Sequence, residues 1–221
     1  MLTATVFAVL GVTLCCGQEL SPAPETEIIT QIRSQTVYLQ GNATSLLNTF
    51  LKYQEKPFSC PGFSFPSWQE PGLPTASMGF KKWRCLCSGE RLLLARNAFS
   101  SISEFFQLIQ DDQLSLNPQA TDLHQLLEAA RWSSEAVLNN LVTAFEMLGF
   151  QPPPLQPDTL SWTSAGATSF QKKVRGYVLC REYRDWLSRV AKDMDILNGT
   201  RRWRQTFNQE RRDCCRSSNV S

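Results

Sequence analysis

The side chains with the most reactive chemistry in this chain are eight cysteines and a single histidine. Cys85-Leu-Cys87 could form half of a metal site, but structural zinc is usually held by Cys-x-x-Cys pairs with further Cys or His ligands. His124 is the only histidine and so the first candidate for a general base. It lies beside the apolar stripe of a helical pattern, where a structural histidine explains it. No serine or cysteine has a convincing His partner, no nucleophile elbow occurs, and no Gly-rich phosphate loop follows a strand pattern. The acid pair Asp111-Asp112 reads as a solvated turn at a helix end. The expectation is therefore no enzyme, no metal and no cofactor, with function residing in exposed faces that meet partners.

Modification chemistry points outward. Asn42-Ala-Thr44 and Asn198-Gly-Thr200 are N-glycosylation sequons, and Asn219-Val-Ser221 is a third near the end. The segment Leu2–Leu14 is uncharged and apolar for about a dozen residues, which fits the core of a signal peptide and is short of the roughly 20 residues needed to span a bilayer. Cys15 and Gly17 are small residues at the positions a cut before Gln18 requires. Residues 1–17 are thus expected to be a signal peptide and 18–221 one secreted, extracellular domain with no membrane insertion. Cys60, Cys85, Cys87, Cys180, Cys214 and Cys215 follow the cut, an even number that suits disulfides in an oxidising compartment, with the pairing left open. Lys and Arg number 22 against 20 Asp and Glu, for a net charge of +2, so bulk binding to nucleic acid is not expected. The basic tail, Arg201-Arg-Trp-Arg204 and Arg211-Arg212, reads as a solvated end.

The elements that carry these residues are all helical. Ile28, Ile32, Leu39, Leu46 and Phe50 form one stripe of a helix over about 25–54. Five prolines between Lys56 and Pro74 make a long irregular connection. A second helix over about 80–110 carries Leu86, Leu93, Phe99, Ile102, Phe106 and Ile109, and closes at Asp111–Pro118. Thr121-Asp122 can cap a third over about 121–148, with Leu123, Leu127, Val137, Leu141 and Phe145 inward and Gly149 as a left-handed stop. A Pro-rich connection follows. A fourth helix over about 168–207 buries Tyr177, Cys180, Tyr183, Leu187, Val190, Met194 and Leu197. Connections that run long, short, long predict an all-α, long-chain four-helix bundle of up-up-down-down order.

Four stretches carry a family resemblance: Leu51-Lys-Tyr-Gln-Glu-Lys-Pro-Phe58, Leu73-Pro-Thr-Ala76 leading to Trp83-Arg84, Leu148-Gly-Phe150 followed by prolines, and Phe170-Gln-Lys-Lys173 continuing into Trp186-Leu-Ser-Arg-Val-Ala-Lys-Asp193. With them the chain resembles the interleukin-6 family of cytokines, most nearly the branch of cardiotrophin-like cytokine, ciliary neurotrophic factor and cardiotrophin. The resemblance implies a secreted, monomeric cytokine with growth factor activity that assembles cell-surface receptors and starts JAK–STAT signalling. It assigns Phe170 and Lys173 to the leukaemia-inhibitory-factor receptor. It assigns Trp83, Arg189 and Asp193 to the alpha receptor of ciliary neurotrophic factor. The shared signal-transducing receptor would meet faces of the first and third helices, where Arg33, Gln40 and Arg131 are candidates by exposure alone. Arg189 and Asp193 stand four apart on a helix, more than about 100 degrees from the Cys180, Leu187 and Met194 stripe, and are expected to be free for a partner. The alternative reading is a secreted amphipathic helical carrier of lipid or another apolar ligand.

Overall fold

The computed structural model describes residues 24–65, 68–150, 154, 160 and 166–202. Five helices occupy them: α1 (Pro24–Tyr53), α2 (Phe80–Cys85), α3 (Ser88–Leu116), α4 (Thr121–Met147) and α5 (Ser169–Arg202), with no strand among the described residues. The signal-peptide segment, the tail beyond Arg202 with Cys214 and Cys215, and most of the Pro-rich connection after Phe150 lie outside the described residues.

Polar contacts between the four long helices fix their directions. Asn140 Nδ2 donates to Gln35 Oε1 at 2.8 Å, and Tyr53 Oη donates to Asp122 Oδ1 at 2.6 Å, so α1 and α4 run in opposite senses. Lys173 reaches the end of α1 at Gln54, while Arg33 near its start pairs with Asp195, so α5 is also antiparallel to α1. Arg91 meets Asp193, and Arg175 meets Asp112, which sets α3 antiparallel to α5. With the short turn between α3 and α4, α1 and α3 point one way and α4 and α5 the other. This is the up-up-down-down bundle.

The apolar stripes read from the sequence converge on one core. Ile32, Phe50, Phe99, Ile102, Phe106, Leu127, Val137, Leu141, Tyr183, Leu187 and Met194 are all buried within it. Tyr183 stands edge-on to Phe106 with centroids 5.1 Å apart and to Phe99 at 6.4 Å, geometry that favours the ring quadrupoles. α1 and α5 approach so closely that a Cβ on Gly176 would lie 2.3 Å from Phe50 Cζ.

The helix ends follow side-chain logic. At the end of α4, the Gly149 amide donates to Glu146 O and the Phe150 amide to Phe145 O, each at 3.0 Å, while Gly149 takes φ +70. This is a Schellman stop, with Phe150 edge-on to Phe145. α5 begins with a capping box: Gln171 Oε1 accepts the Thr168 amide at 2.8 Å, and Thr168 Oγ1 accepts the Gln171 amide at 3.3 Å.

Three expectations about helix boundaries are corrected. The second predicted helix is two, because the Leu86-Cys87 backbone is extended and Glu90 accepts the Cys87 amide at 2.8 Å, starting a new helix at Ser88. Its end is also later, at Leu116. Asp112 is not in a solvated turn: it is buried in α3, where Arg175 donates Nε and Nη2 to its two oxygens at 2.6 Å each. Finally, α4 has Ala120 at its N-cap, with no side-chain cap, so Thr121 and Asp122 are inside the helix. His124 Nε2 instead ties the turn by meeting Asn117 O at 3.0 Å.

Candidate functional site

Lys173 and Phe170 sit on the first turns of α5, where the capping box fixes the helix start. Phe170 is 55% exposed, and its ring lies 5.9 Å from that of buried Phe58 in the connection after α1. Phe58 in turn packs at a tilt on Phe63, centroids 4.8 Å apart, and Phe63 stands edge-on to Tyr177 at 5.5 Å. The exposed ring therefore rests on an aromatic base tied to α5 itself. Lys173 Nζ donates to Gln54 O at 2.9 Å and to Glu55 Oε2 at 3.1 Å, which holds the ammonium at the end of α1 with its side chain 19% exposed. The exposed Phe170 ring and this paired cation share the start of α5, and the ring is suited to filling a partner's pocket.

About 19 residues further along α5, roughly 28 Å at ~1.5 Å rise per residue, a second cluster forms around Trp83. Its indole Nε1 donates to Asp193 Oδ1 at 2.8 Å. The same carboxylate oxygen accepts Arg91 Nη1 at 2.5 Å, and Arg189 Nε lies 3.8 Å from Asp193 Oδ2. Arg91 also donates to the carbonyls of Trp83 (2.7 Å), Leu86 (3.1 Å) and Arg84 (3.4 Å), while its guanidinium stands 5.3 Å from the Trp83 ring centroid. One buried cation thus caps the C-terminal end of α2, where carbonyl dipoles favour positive charge.

The expected exposure of Arg189 and Asp193 is corrected here. They are 8% and 1% exposed. Asp193 is covered by Trp83 of α2 and Arg91 of α3, and Arg189 by the connection between α1 and α2, which lies along α5. A row of α5 side chains straps it down. Tyr177 Oη accepts the Phe65 amide, Arg181 donates to Phe65 O and Trp68 O, and Glu182 accepts the Ala76 amide. Trp186 donates to Pro74 O and Arg189 to Ala76 O, at distances from 2.7 to 3.2 Å. Burial lowers the Arg189 guanidinium below its ordinary range, and the Asp193 charge opposes that fall. What remains accessible in the cluster is Trp83, half-buried, and the α2 residues around it.

Reading the sequence named Phe170, Lys173, Trp83, Arg189 and Asp193 as candidates, and the structure gathers them into these two groups. It missed Arg91, Glu55 and Phe58. Arg91 carried a signal, since a charged residue one position from Leu92 at the start of an apolar stripe needs a partner. Of the candidates for a third face, Arg33 is tied to Asp195 and Arg131 stacks on exposed Trp132 at 4.7 Å. The sequon residue Asn42 is exposed on α1; Asn198 is half-buried with Oδ1 enclosed and unpartnered. Cys60 and Cys85 are exposed thiols and Cys180 a buried one, its ionisation pushed up by burial. No helix among the described residues is long and apolar enough to cross a membrane.

A bundle of this order has the fold of the long-chain helical cytokines. Comparison with known proteins agrees. A family model described as Plethodontid receptivity factor PRF matches residues 22–203. Cardiotrophin-2 of Pan troglodytes is 40% identical over 192 residues, covering 87% of this chain and 93% of that one. Cardiotrophin-2 of Mus musculus is 38% identical over 196 residues, covering 89% and 96%. Cardiotrophin-1 of Homo sapiens is 30% identical over 172 residues, covering 76% and 84%. The chain belongs to the plethodontid receptivity factor family of interleukin-6-type cytokines, the family of the cardiotrophins.

Proposed function

We propose that the chain is a secreted cytokine that brings together cell-surface receptors of the interleukin-6 family and so starts JAK–STAT signalling, without catalysis of its own. In this reading Phe170 and Lys173 contact the leukaemia-inhibitory-factor receptor. The outer faces of α1 and α4 meet the shared signal-transducing receptor. The Trp83 cluster meets the alpha receptor of ciliary neurotrophic factor, with Trp83 as the contact and Arg189 and Asp193 acting beneath it. The observation that carries the reading is the placement of two distinct aromatic and charged groups roughly 28 Å apart along α5, the second presented by Trp83 of α2, because a stiff spacer between two binding faces holds two receptors at a set separation. The apolar segment 2–14 and the exposed sequon at Asn42 support export. A carrier of apolar ligands fits less well: the groove of about 1240 Å³ between α1, the connection and α5 is open to solvent, with Arg181, Glu182, Arg184 and Asp185 beside Leu51, Phe63 and Trp68, and does not enclose an apolar cavity.

Cells displaying the leukaemia-inhibitory-factor receptor and the shared receptor are the direct test. Purified protein raises STAT phosphorylation there, and Phe170→Ala/Lys173→Ala shifts the half-maximal dose upward by at least about tenfold. A folded wild-type protein that leaves STAT unphosphorylated, while binding liposomes loaded with apolar dye, would overturn the reading in favour of a carrier.

A further inference from the structure

From Ser34 to Leu51, α1 carries no Asp, Glu, Lys or Arg, although 19% of the chain is charged. The gap is not explained by burial. Ser34, Tyr38, Gly41, Asn42 and Ser45 are exposed, and their spacing puts them on one side of the helix, within an arc of about 100 degrees. The outer side of a surface helix is ordinarily lined with charged groups that keep it solvated. Here its centre is Tyr38, at 74% exposure the most exposed large apolar side chain among the described residues. No hydrogen bond or ring contact engages it there. Asn42 stands one turn further on and heads the sequon Asn42-Ala-Thr44. Helical side chains lean toward the N-terminus, and residues four apart meet, so a group carried by Asn42 lies over Tyr38.

We propose that Asn42 carries an N-linked glycan whose first N-acetylglucosamine packs on the Tyr38 ring, so that carbohydrate solvates the uncharged side of α1. The sugar comes from an oligosaccharide linked to a lipid diphosphate. Asn42 Nδ2 bonds to the sugar C1, the C1–O bond to the diphosphate breaks, Nδ2 gives up one proton and the lipid diphosphate leaves; nothing is oxidised or reduced. In the folded helix Thr44 Oγ1 donates to Gln40 O at 2.9 Å, so the sequon hydroxyl is occupied and the transfer precedes folding of α1. Once α1 has formed, the C–H face of the pyranose meets the electron-rich face of the phenol ring. At Asn198, by contrast, the amide oxygen is enclosed, and a sugar on the same planar amide would force that packing apart. The proposal rests on the export reading. It leaves a protein partner of the outer face the α4 side, where Trp132 is 55% exposed.

The test uses the full chain secreted from animal cells, with peptide mass spectrometry to read the glycan at Asn42 and an endoglycosidase to trim it to one N-acetylglucosamine. In the trimmed protein the N-acetyl methyl proton signal lies upfield of its position in Tyr38→Ala, because the ring current of Tyr38 is lost in that variant. Asn42→Gln lowers the melting temperature by about 2 °C in the wild-type background and leaves it unchanged in Tyr38→Ala. An occupied Asn42 whose methyl signal and stability effect are the same with and without Tyr38 would overturn the packing and leave the export reading standing. A secreted chain with Asn42 bare would overturn the proposal in the same way. If Tyr38→Ala weakens binding of the shared receptor ectodomain by about tenfold in protein lacking the glycan, the uncharged side is a protein interface and the proposal fails. A chain retained in the cytosol with every sequon bare would overturn the export reading and the proposal together.

Discussion

Arg91 and Asp193, 102 residues apart in sequence, form a buried ion pair at 2.5 Å that joins α3 to α5, and through it α2 is held against the bundle. Two cations, Arg91 and Arg189, face this one carboxylate, and the indole N–H of Trp83 completes its shell. Removing one partner of such a pair leaves an uncompensated charge out of water, which is the costly case.

Arg91→Met is therefore expected to destabilise the fold by about 3 kcal/mol in urea unfolding. Arg91→Met/Asp193→Leu recovers only part of that loss, because the ion pair is removed as a unit while buried Arg189 loses its carboxylate neighbour. Hydrogen exchange at the amides of Trp83–Leu86 rises in the single variant, since α2 loses its cap. Equal stability of single and double variants would show that the pair does not hold the site.

Gly176 meets Phe50 where α1 and α5 cross. Alanine is ordinarily better than glycine in a helix by about 1 kcal/mol, yet a Cβ here would overlap the ring at 2.3 Å and 2.6 Å. Gly176→Ala is expected to lower stability by about 2 kcal/mol, and Phe50→Leu added to it restores part of the loss. Thermal unfolding of the two variants decides this; a stabilised Gly176→Ala would mean the helices separate easily.

Burial raises both Cys180 and Tyr183 above their ordinary values of 9.0 and 10.0. Each group keeps its proton in the folded state at a pH where the unfolded chain releases it. Their contribution to stability is complete below about pH 9 and is lost as pH rises from there, at up to about 1.4 kcal/mol per pH unit for each group. Urea unfolding between pH 8 and 10.5 should show the decline, and Cys180→Ala should remove the part that begins near pH 9. In the folded protein at pH 8, iodoacetamide should label Cys60 and Cys85, which are exposed, and spare Cys180 until denaturant is added. Mass spectrometry reads this directly, and labelling of Cys180 without denaturant would contradict its burial.

The four long helices, their inward stripes and the order of their connections were legible in the sequence because apolar periodicity reports which side of a helix faces a core. Gly149 was legible for a similar local reason: a left-handed stop needs glycine. Periodicity failed where the contact came from an irregular segment. Arg189 and Asp193 lie away from the Leu187 and Met194 stripe, so a helical wheel leaves them in solvent; the connection over Arg189 has no period and left no trace in α5, and Asp193 is covered by Trp83 and Arg91. The break at Leu86-Cys87 was hidden likewise, since it depends on Arg91 and Glu90 satisfying backbone groups at two helix ends. Phe170 and Lys173 were named by resemblance, and the surroundings of each depend on Phe58 and Gln54, which only the folded chain brings near.

The central claim is that separate corners of one bundle bind separate receptors. Binding of the purified chain to immobilised ectodomains of the leukaemia-inhibitory-factor receptor, the shared signalling receptor and the ciliary neurotrophic factor alpha receptor tests it most directly. Wild type should be compared with Phe170→Ala/Lys173→Ala and with Trp83→Ala. The account predicts that the first variant loses at least about tenfold in affinity for the leukaemia-inhibitory-factor receptor alone and that Trp83→Ala loses as much for the alpha receptor alone. Variants that weaken all three receptors equally, or a folded wild type that binds none, would contradict it.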